Sequence, residues 1–269
     1  MGRFKRGKFI HLAARPRSSQ ESARSTWELC PSRSARLHSK AWPGFNYAMN
    51  HSDEPTVLLD FGNVLTHDRD ASVFAPLLAR LRIPQQSFNE SWIRYRDEYD
   101  AGSLDAKAYW SLVLRDSARE VAADLYAIGQ EPGEDLASEL TATDFRSFLN
   151  PRMLMRALVI ELIERNIGVG ILSNMPPNMG TRWIDSWAWL GRVELALWSG
   201  DEGLSKPDPA FYRLFLQRSC WRPERTLFVD DVQENLDTAD GLGFATHLFV
   251  EECSAIDTIR AWVRNGLKS

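Results

Sequence analysis

Five short apolar runs, separated by stretches of helical periodicity, constrain this chain more than any other feature. They are TVLLD at 56–60, GVGILSN at 168–174, VELALWSG at 193–200, TLFVDD at 226–231 and ATHLFV at 245–250. A strand that is apolar along its whole length must be buried on both faces. Strands that alternate with helices return by crossovers, not by tight turns. Both conditions describe a mostly parallel sheet with helices on each side. The connecting segments fit: PRMLMRALVIELIERN at 151–166 has apolar residues at helical spacing, and Pro151 suits a first turn. PAFYRLFLQRSC and NLDTADGLG read as two further helices.

Between the first and second runs nothing resembles a strand. ASVFAPLLARLRI, SFNESWIRYRDEYDAG at 87–102, SLDAKAYWSLVLRDSAREVA from Ser103, and a segment around 121–147 all read as helices. This predicts an all-helical insertion of roughly 80 residues, the size of a small domain. The expected organisation is a basic N-terminal extension over 1–48, an α/β core over 53–66 plus 151–269, and a helical cap over 67–150.

Composition narrows the setting. With 44% hydrophobic and 25% charged residues the chain has the make-up of a soluble globular protein. No stretch approaches the roughly 20 apolar residues of a membrane span, so no membrane partner is expected. Cys30, Cys220 and Cys253 lie far apart without metal-like spacing, which argues for reduced thiols and a cytoplasmic location. Charge is unevenly placed. Residues 1–48 hold ten of the 32 basic residues and two of the 36 acidic ones, so 49–269 carry a net −12. Three readings compete for that head: an over-extended start ahead of Met49, an organellar targeting segment, and an arm for nucleic acid. The first is preferred, because MNHSDEP is a short polar leader before the first strand. Nucleic acid is the least favoured partner. The head is expected to be poorly ordered and to carry no chemistry.

Ligands of open parallel sheets bind beyond the carboxyl ends of the strands, and there the polar residues gather. Asp60 ends the first strand, Ser173 and Asn174 the second, Asp230 and Asp231 the fourth; Lys206 stands in GLSKPDPAFY just before a helix. Together they offer carboxylates for a metal, small donors for an anion, and one ammonium group. Singly, each has a plainer use: Asp60 as a strand-end cap, Ser173-Asn174 as a turn, Lys206 as a solvated side chain. Adjacent like charges after a core strand, as in Asp230-Asp231, are costly unless a cation neutralises them.

From about Thr56 to Val250 the chain resembles the haloacid dehalogenase-like (HAD) superfamily, in its branch with a helical cap inserted after the first strand. LLDFGNVL, GILSNMPP, SGDEGLSKPDPAFY and LFVDDVQENLDTADGLG are similar to the four motifs of that family, in their proper order. The resemblance implies a Rossmann-like α/β core and a hydrolase acting on a small phosphorylated metabolite, with a sugar phosphate among the candidates. Asp60 would be the nucleophile, forming an aspartyl-phosphate. The cofactor would be Mg²⁺, held by Asp60, the Gly62 carbonyl and Asp231. Ser173, the amide of Asn174, and Lys206 would bind the phosphoryl oxygens, Lys206 also offsetting the charge of Asp60. Asp230 and Asn235 would support the metal loop from behind.

The chain departs from many phosphatases of that family at Gly62, where they carry a second aspartate. Such an acid is worth about 10² to 10⁴ in rate. Substrate hydroxyls, a neighbour such as His67 or Asp68, or slow catalysis are the open explanations. Two other readings stay in view: a 2-haloacid dehalogenase-type hydrolase, whose relatives also lack that acid, and a catalytically weak binding protein. For the latter, Trp92, Tyr95, Tyr99, Tyr109 and Trp110 could form a surface, although aromatics at helical spacing are mostly core; Trp183, Trp187 and Trp189 are read the same way. Arg94, Tyr95 and Arg96 are candidates to face the substrate from the cap. Oligomeric state cannot be read from the sequence.

Overall fold

The computed structural model describes residues 53–118 and 133–268. The expectations for the basic head, and for helix over 119–132, lie outside the described residues. Chain order runs β1 (Thr56–Leu59), α1 (Ala75–Leu81), α2 (Gln85–Arg94), α3 (Arg96–Asp100), α4 (Ala106–Ala118), α5 (Glu134–Ser147), α6 (Met153–Glu164) and β2 (Val169–Ser173). It continues with α7 (Met179–Ser186), β3 (Leu195–Trp198), α8 (Ser199–Glu202), α9 (Pro209–Ser219), β4 (Thr226–Asp230), α10 (Gln233–Gly241), β5 (Ala245–Leu248) and α11 (Glu252–Gly266).

The strands form one parallel sheet in the order β3-β2-β1-β4-β5, the Rossmann-like α/β core expected. Every residue of β1 to β4 is buried, as apolar strands covered on both faces must be. Alternate residues serve opposite faces. Val57, Leu59, Ile171 and Val229 pack with Leu158, Leu162, Ile259 and Val263 of α6 and α11. Leu58, Leu172, Leu197 and Phe228 pack with Phe211 and Phe215 of α9 and Leu236 of α10. Gly170 interrupts β2 because the Phe215 ring leaves no room: a Cβ there would lie 2.5 Å from it. Any larger side chain at 170 would push α9 off the sheet.

The helices between β1 and α6 close around their own aromatic cluster. Phe74, Phe88, Tyr99, Tyr109, Trp110 and Leu140 are its buried members, so most aromatics of this segment are core. The reading of one helix over 87–102 is corrected. The chain breaks at Tyr95 (φ −113°, ψ 9°) into α2 and α3. The next helix starts at Ala106 because Asp105 accepts from the Ala108 amide at 2.8 Å.

Among the contacts that join these helices to the sheet layer are two polar junctions, beside the ring pair of Phe145 and Trp183. The entering and leaving segments pair at the Thr66–Pro151 antiparallel bridge, with His67 N–H donating to Asn150 O (2.8 Å) and Arg152 N–H to Leu65 O (2.9 Å). The second contact is at the end of α3. Buried Ser199 donates its hydroxyl to the Asp100 carbonyl (2.5 Å) and accepts from the Met175 amide (2.8 Å). Gly102, at φ +74°, sits so close that a Cβ would lie 2.7 Å from the Gly200 carbonyl oxygen. Only glycine serves there.

Cys253 is a free, exposed thiol, in line with the expectation of reduced thiols, and Cys30 lies outside the described residues. No helix among the described residues is long and apolar enough to cross a membrane.

Candidate active site

The sheet reverses its direction of growth at β1. The chain adds β2 and β3 on one side, then returns to lay β4 and β5 on the other. Diverging connections leave a crevice at the carboxyl ends of β1 and β4, the usual binding place of such sheets. Asp60 follows β1 directly and Asp230 is the last residue of β4, so topology alone puts both carboxylates in that crevice.

Lys206 meets them there. Its Nζ lies 2.8 Å from Asp60 Oδ1 and 2.7 Å from Asp230 Oδ2. All three residues are buried, Asp230 fully. Burial pushes Asp60 up to about 6, against the pull of Lys206 and with added repulsion from Asp230 and Asp231. Burial works against the Lys206 charge too, but the two carboxylates outweigh it and hold its pKa above the ordinary lysine value. The loop bearing Lys206 is fixed from both ends. Downstream, Asp208 caps α9 by accepting from the Ala210 amide at 2.8 Å, with Pro209 in the first turn. Upstream, the Asn174 side chain donates to the Lys206 carbonyl and accepts from the Lys206 amide, both at 2.8 Å.

Asp230 is an anchor. Its Oδ1 accepts from the Val232 amide (2.8 Å) and Asn235 Nδ2 (3.0 Å), while Oδ2 takes Lys206. Asn235 is held in turn by Tyr212, whose hydroxyl donates to its carbonyl at 2.9 Å. Asp231 is half-buried, and its Oδ2 accepts from Asn63 Nδ2 at 2.9 Å. Asn63 has φ 55°, a conformation asparagine tolerates better than most residues. Sequence reading passed over it, although an Asn after Gly in a strand-to-loop turn is a recognisable left-handed position.

Asp60, Asp230 and Asp231 each bring an oxygen within 4.8 Å of the others. This is an all-oxygen set of the kind a hard divalent cation takes, and it fits Mg²⁺. Asp230 is already committed to its neighbours, which leaves Asp60 and Asp231 as the carboxylates to hold the ion. The Gly62 carbonyl accepts from the Val64 amide at 2.6 Å and has a second lone pair to offer.

Ser173 ends β2, Asn174 follows it, and with Gly62 they line a cleft of about 590 Å³ including its open mouth. The far side comes from the helical insertion. Arg96 lines it, giving Nε to Asp100 (2.7 Å) and Nη1 to Asp144 (2.8 Å) with its plane over Trp92. Burial pushes the Asp100 carboxyl up to about 7, Asp144 adding to the effect and Arg96 opposing it. Arg94 and Tyr95 do not join Arg96; both bind Asp116. His67 and Asp68 are not among the cleft's lining residues either. Asp100 and Asp144 were invisible as site residues, whereas Trp92 stood among the aromatics that could form a surface and Trp183 was read as core. Nothing in a sequence says which face of an inserted helix meets the sheet.

A family model described as haloacid dehalogenase-like hydrolase matches residues 55–243. Drimenol cyclase drtB of Aspergillus calidoustus is 30% identical over 196 residues, covering 72% of this chain and 33% of that protein. Acyl-CoA dehydrogenase family member 10 of Mus musculus is 44% identical over 45 residues, 17% of this chain and 4% of that protein. The chain thus spans a third or less of the curated relatives it matches. Among solved structures, the HAD family enzyme BT-2542 of Bacteroides thetaiotaomicron, in complex with magnesium and inorganic phosphate, aligns with a TM-score of 0.56 at 17% identity. That alignment covers 76% of this chain and 98% of the other. L-2-haloacid dehalogenase of Xanthobacter autotrophicus, with chloropropionic acid covalently bound, aligns with a TM-score of 0.51 at 19% identity, over 77% and 83% of the two chains. At such identities the likeness is one of fold.

Proposed function

The chain belongs to the haloacid dehalogenase-like hydrolase family, and from that premise we propose that it is a Mg²⁺-dependent hydrolase of a small phosphomonoester. One observation carries the reading: Asp60, Asp230 and Asp231 converge within 4.8 Å beside a buried lysine. Paired acids after β4 suit a cation and an anionic substrate better than a neutral one.

In this reading Asp60 attacks phosphorus. An Asp60 oxygen–phosphorus bond forms as the ester P–O bond breaks, and the alcohol leaves. Water then forms the new P–O bond and frees Asp60 as phosphate departs. Magnesium, when bound by Asp60, Asp231 and the Gly62 carbonyl, supplies charge neutralisation between the two anions. Lys206 holds Asp60 in place and adds a second positive charge. Ser173 Oγ and the Asn174 amide are the donors for the phosphoryl oxygens. Gly62 has no proton to give, so the departing alkoxide takes one from solvent or from its own hydroxyls. Asp100, Asp144 and the rings around them act as the cap's contribution to substrate choice. A cytoplasmic setting, and no partner beyond the small substrate, belong to the same proposal.

A second reading has an observation behind it. Gly62 and the apolar cleft also suit attack of Asp60 on a carbon bearing halide, through an ester intermediate and without a metal. Phosphate release from p-nitrophenyl phosphate, with and without EDTA, separates the two. Release that EDTA and Asp60→Asn both abolish is expected. Halide release from a 2-haloacid that survives EDTA overturns the phosphatase reading.

A further inference from the structure

If the site cleaves a phosphate ester, the walls of its cleft bear on the alcohol that carries the phosphate, and the inference rests on that phosphatase reading. Phe61, Met179 and Trp183 line the cleft from the sheet layer; Trp92, Phe145 and Phe148 line it from the insertion. The rings interlock across the boundary. Phe61 and Phe145 sit 4.7 and 4.5 Å from Trp183, centroid to centroid, and Trp92 sits 6.3 Å from Phe148. Trp92, Phe145 and Phe148 keep part of their surface open.

Most charged groups in the same walls are paired with one another, while Thr66 Oγ1 and, its ion pair with Arg96 aside, Asp100 Oδ1 have no hydrogen-bond partner among the described residues. Arg96 gives Nε to Asp100 and Nη1 to Asp144, and lies over Trp92 and Phe148 at 4.6 and 5.7 Å. Asp144 takes Arg96 on one oxygen and the Trp92 indole N–H, at 2.9 Å, on the other. A polyol entering here gives up the water on all its hydroxyls and finds Thr66 Oγ1 and Asp100 Oδ1 without hydrogen bonds but Arg96, Asp144 and the Trp92 N–H engaged, an exchange that binding sites for hydroxyl-rich ligands avoid. An apolar body entering the same space removes ring surface and its own surface from water together.

We propose that the alcohol leaving this site is hydrophobic: the substrate is the phosphate monoester of an aromatic or branched hydrocarbon alcohol, not a sugar phosphate. Gly62 is consistent with this at the other end of the cleft, since its small size leaves the space above the nucleophile loop to the leaving group. A Cβ at 62 would meet nothing within 4 Å.

The test is a ladder of monoesters of primary alcohols, so that leaving-group basicity stays alike, assayed with the full chain and Mg²⁺: methyl, butyl, cyclohexylmethyl, 2-phenylethyl and 2-(2-naphthyl)ethyl phosphate, beside glycerol 3-phosphate and glucose 6-phosphate. kcat/KM should climb by about fourfold per buried methylene along the apolar series. It should exceed that of the sugar phosphates by roughly 100-fold or more at the naphthyl ester. Phe148→Ser should flatten the climb, lowering kcat/KM for the naphthyl ester by about tenfold or more. If that variant does not fold, the wild-type ladder decides by itself. Equal or better use of glucose 6-phosphate overturns the inference and leaves the phosphatase reading intact. No phosphate release from any ester removes both.

Discussion

The Asn174 side chain grips the Lys206 peptide on both sides, donating to its carbonyl and accepting from its amide at 2.8 Å each. The residue that follows β2 thereby sets where the ammonium group of a distant loop stands relative to Asp60. Asn174→Ala should lower kcat by roughly 10- to 100-fold, the cost of misplacing a group by a fraction of an ångström to one ångström. Circular dichroism should show the variant folded. A kcat within twofold of wild type would mean that the loop holds Lys206 without help.

The two adjacent acids after β4 should separate cleanly. Asp231 is half-buried and touches Asn63, whereas Asp230 is fully buried with three donors on it. Asp231→Asn should raise the Mg²⁺ concentration for half-maximal activity by about tenfold or more without moving the urea midpoint. Asp230→Ala takes one of two carboxylates from buried Lys206 and the acceptor from the Val232 amide and Asn235, and should cost on the order of 3–5 kcal/mol of stability. If the two variants behave alike in both assays, the division of labour between them is wrong.

Room exists at position 62 for the missing acid. The backbone there is not in the left-handed region, and a Cβ would meet nothing within 4 Å. Gly62→Asp should fold and should raise kcat toward esters with poor leaving groups by about tenfold or more, since general acid help is worth about 10² to 10⁴ when well placed. Esters with a good leaving group, such as p-nitrophenyl phosphate, should gain far less. A uniform gain or loss across both ester types would show that proton donation is not what the glycine withholds.

Asp100 should make stability depend on pH. Its carboxyl stands at about 7 in the folded chain against an ordinary 3.8, through burial and Asp144 working against the Arg96 pair. A carboxyl raised in this way binds its proton more tightly when the chain is folded. Its contribution is complete below about 3.8 and is lost as pH rises through about 7. From about pH 8.5 down to about pH 5.5, wild type should gain on the order of 1–2 kcal/mol relative to Asp100→Asn. Urea unfolding at the two pH values measures it. A parallel response in the two proteins would place the titration elsewhere.

Much of the core could be read beforehand because its causes are local. An apolar run that tolerates no polar residue must be a buried strand, and β1 to β4 fall where those runs are. Asp60, Asp230 and Asp231 could be singled out because polar residues at strand ends have few uses, and Lys206 by its GLSKPDP setting; the structure brings all four together. Helix ends were less legible. The break at Tyr95 and the start at Ala106 depend on backbone angles and a single capping oxygen. The cleft was the least legible part. Trp183 lines it while Trp110 fills the helical core, and the spacing of the two in sequence does not distinguish them. What separates them is how the insertion is seated on the sheet, a long-range outcome settled by contacts such as Ser199 to Asp100.

Arg152 stands where the helical insertion rejoins the sheet layer, and its Nε donates to the carbonyls of both Asn63 (2.9 Å) and Thr66 (3.2 Å). Asn63 is also the residue that steadies Asp231. Hinge and reaction centre therefore share one loop of a few residues, as a door might share its upper pin with the lock. One guanidinium and one asparagine thus tie the place where the insertion rejoins the sheet layer to a carboxylate of the site, with no residue between them.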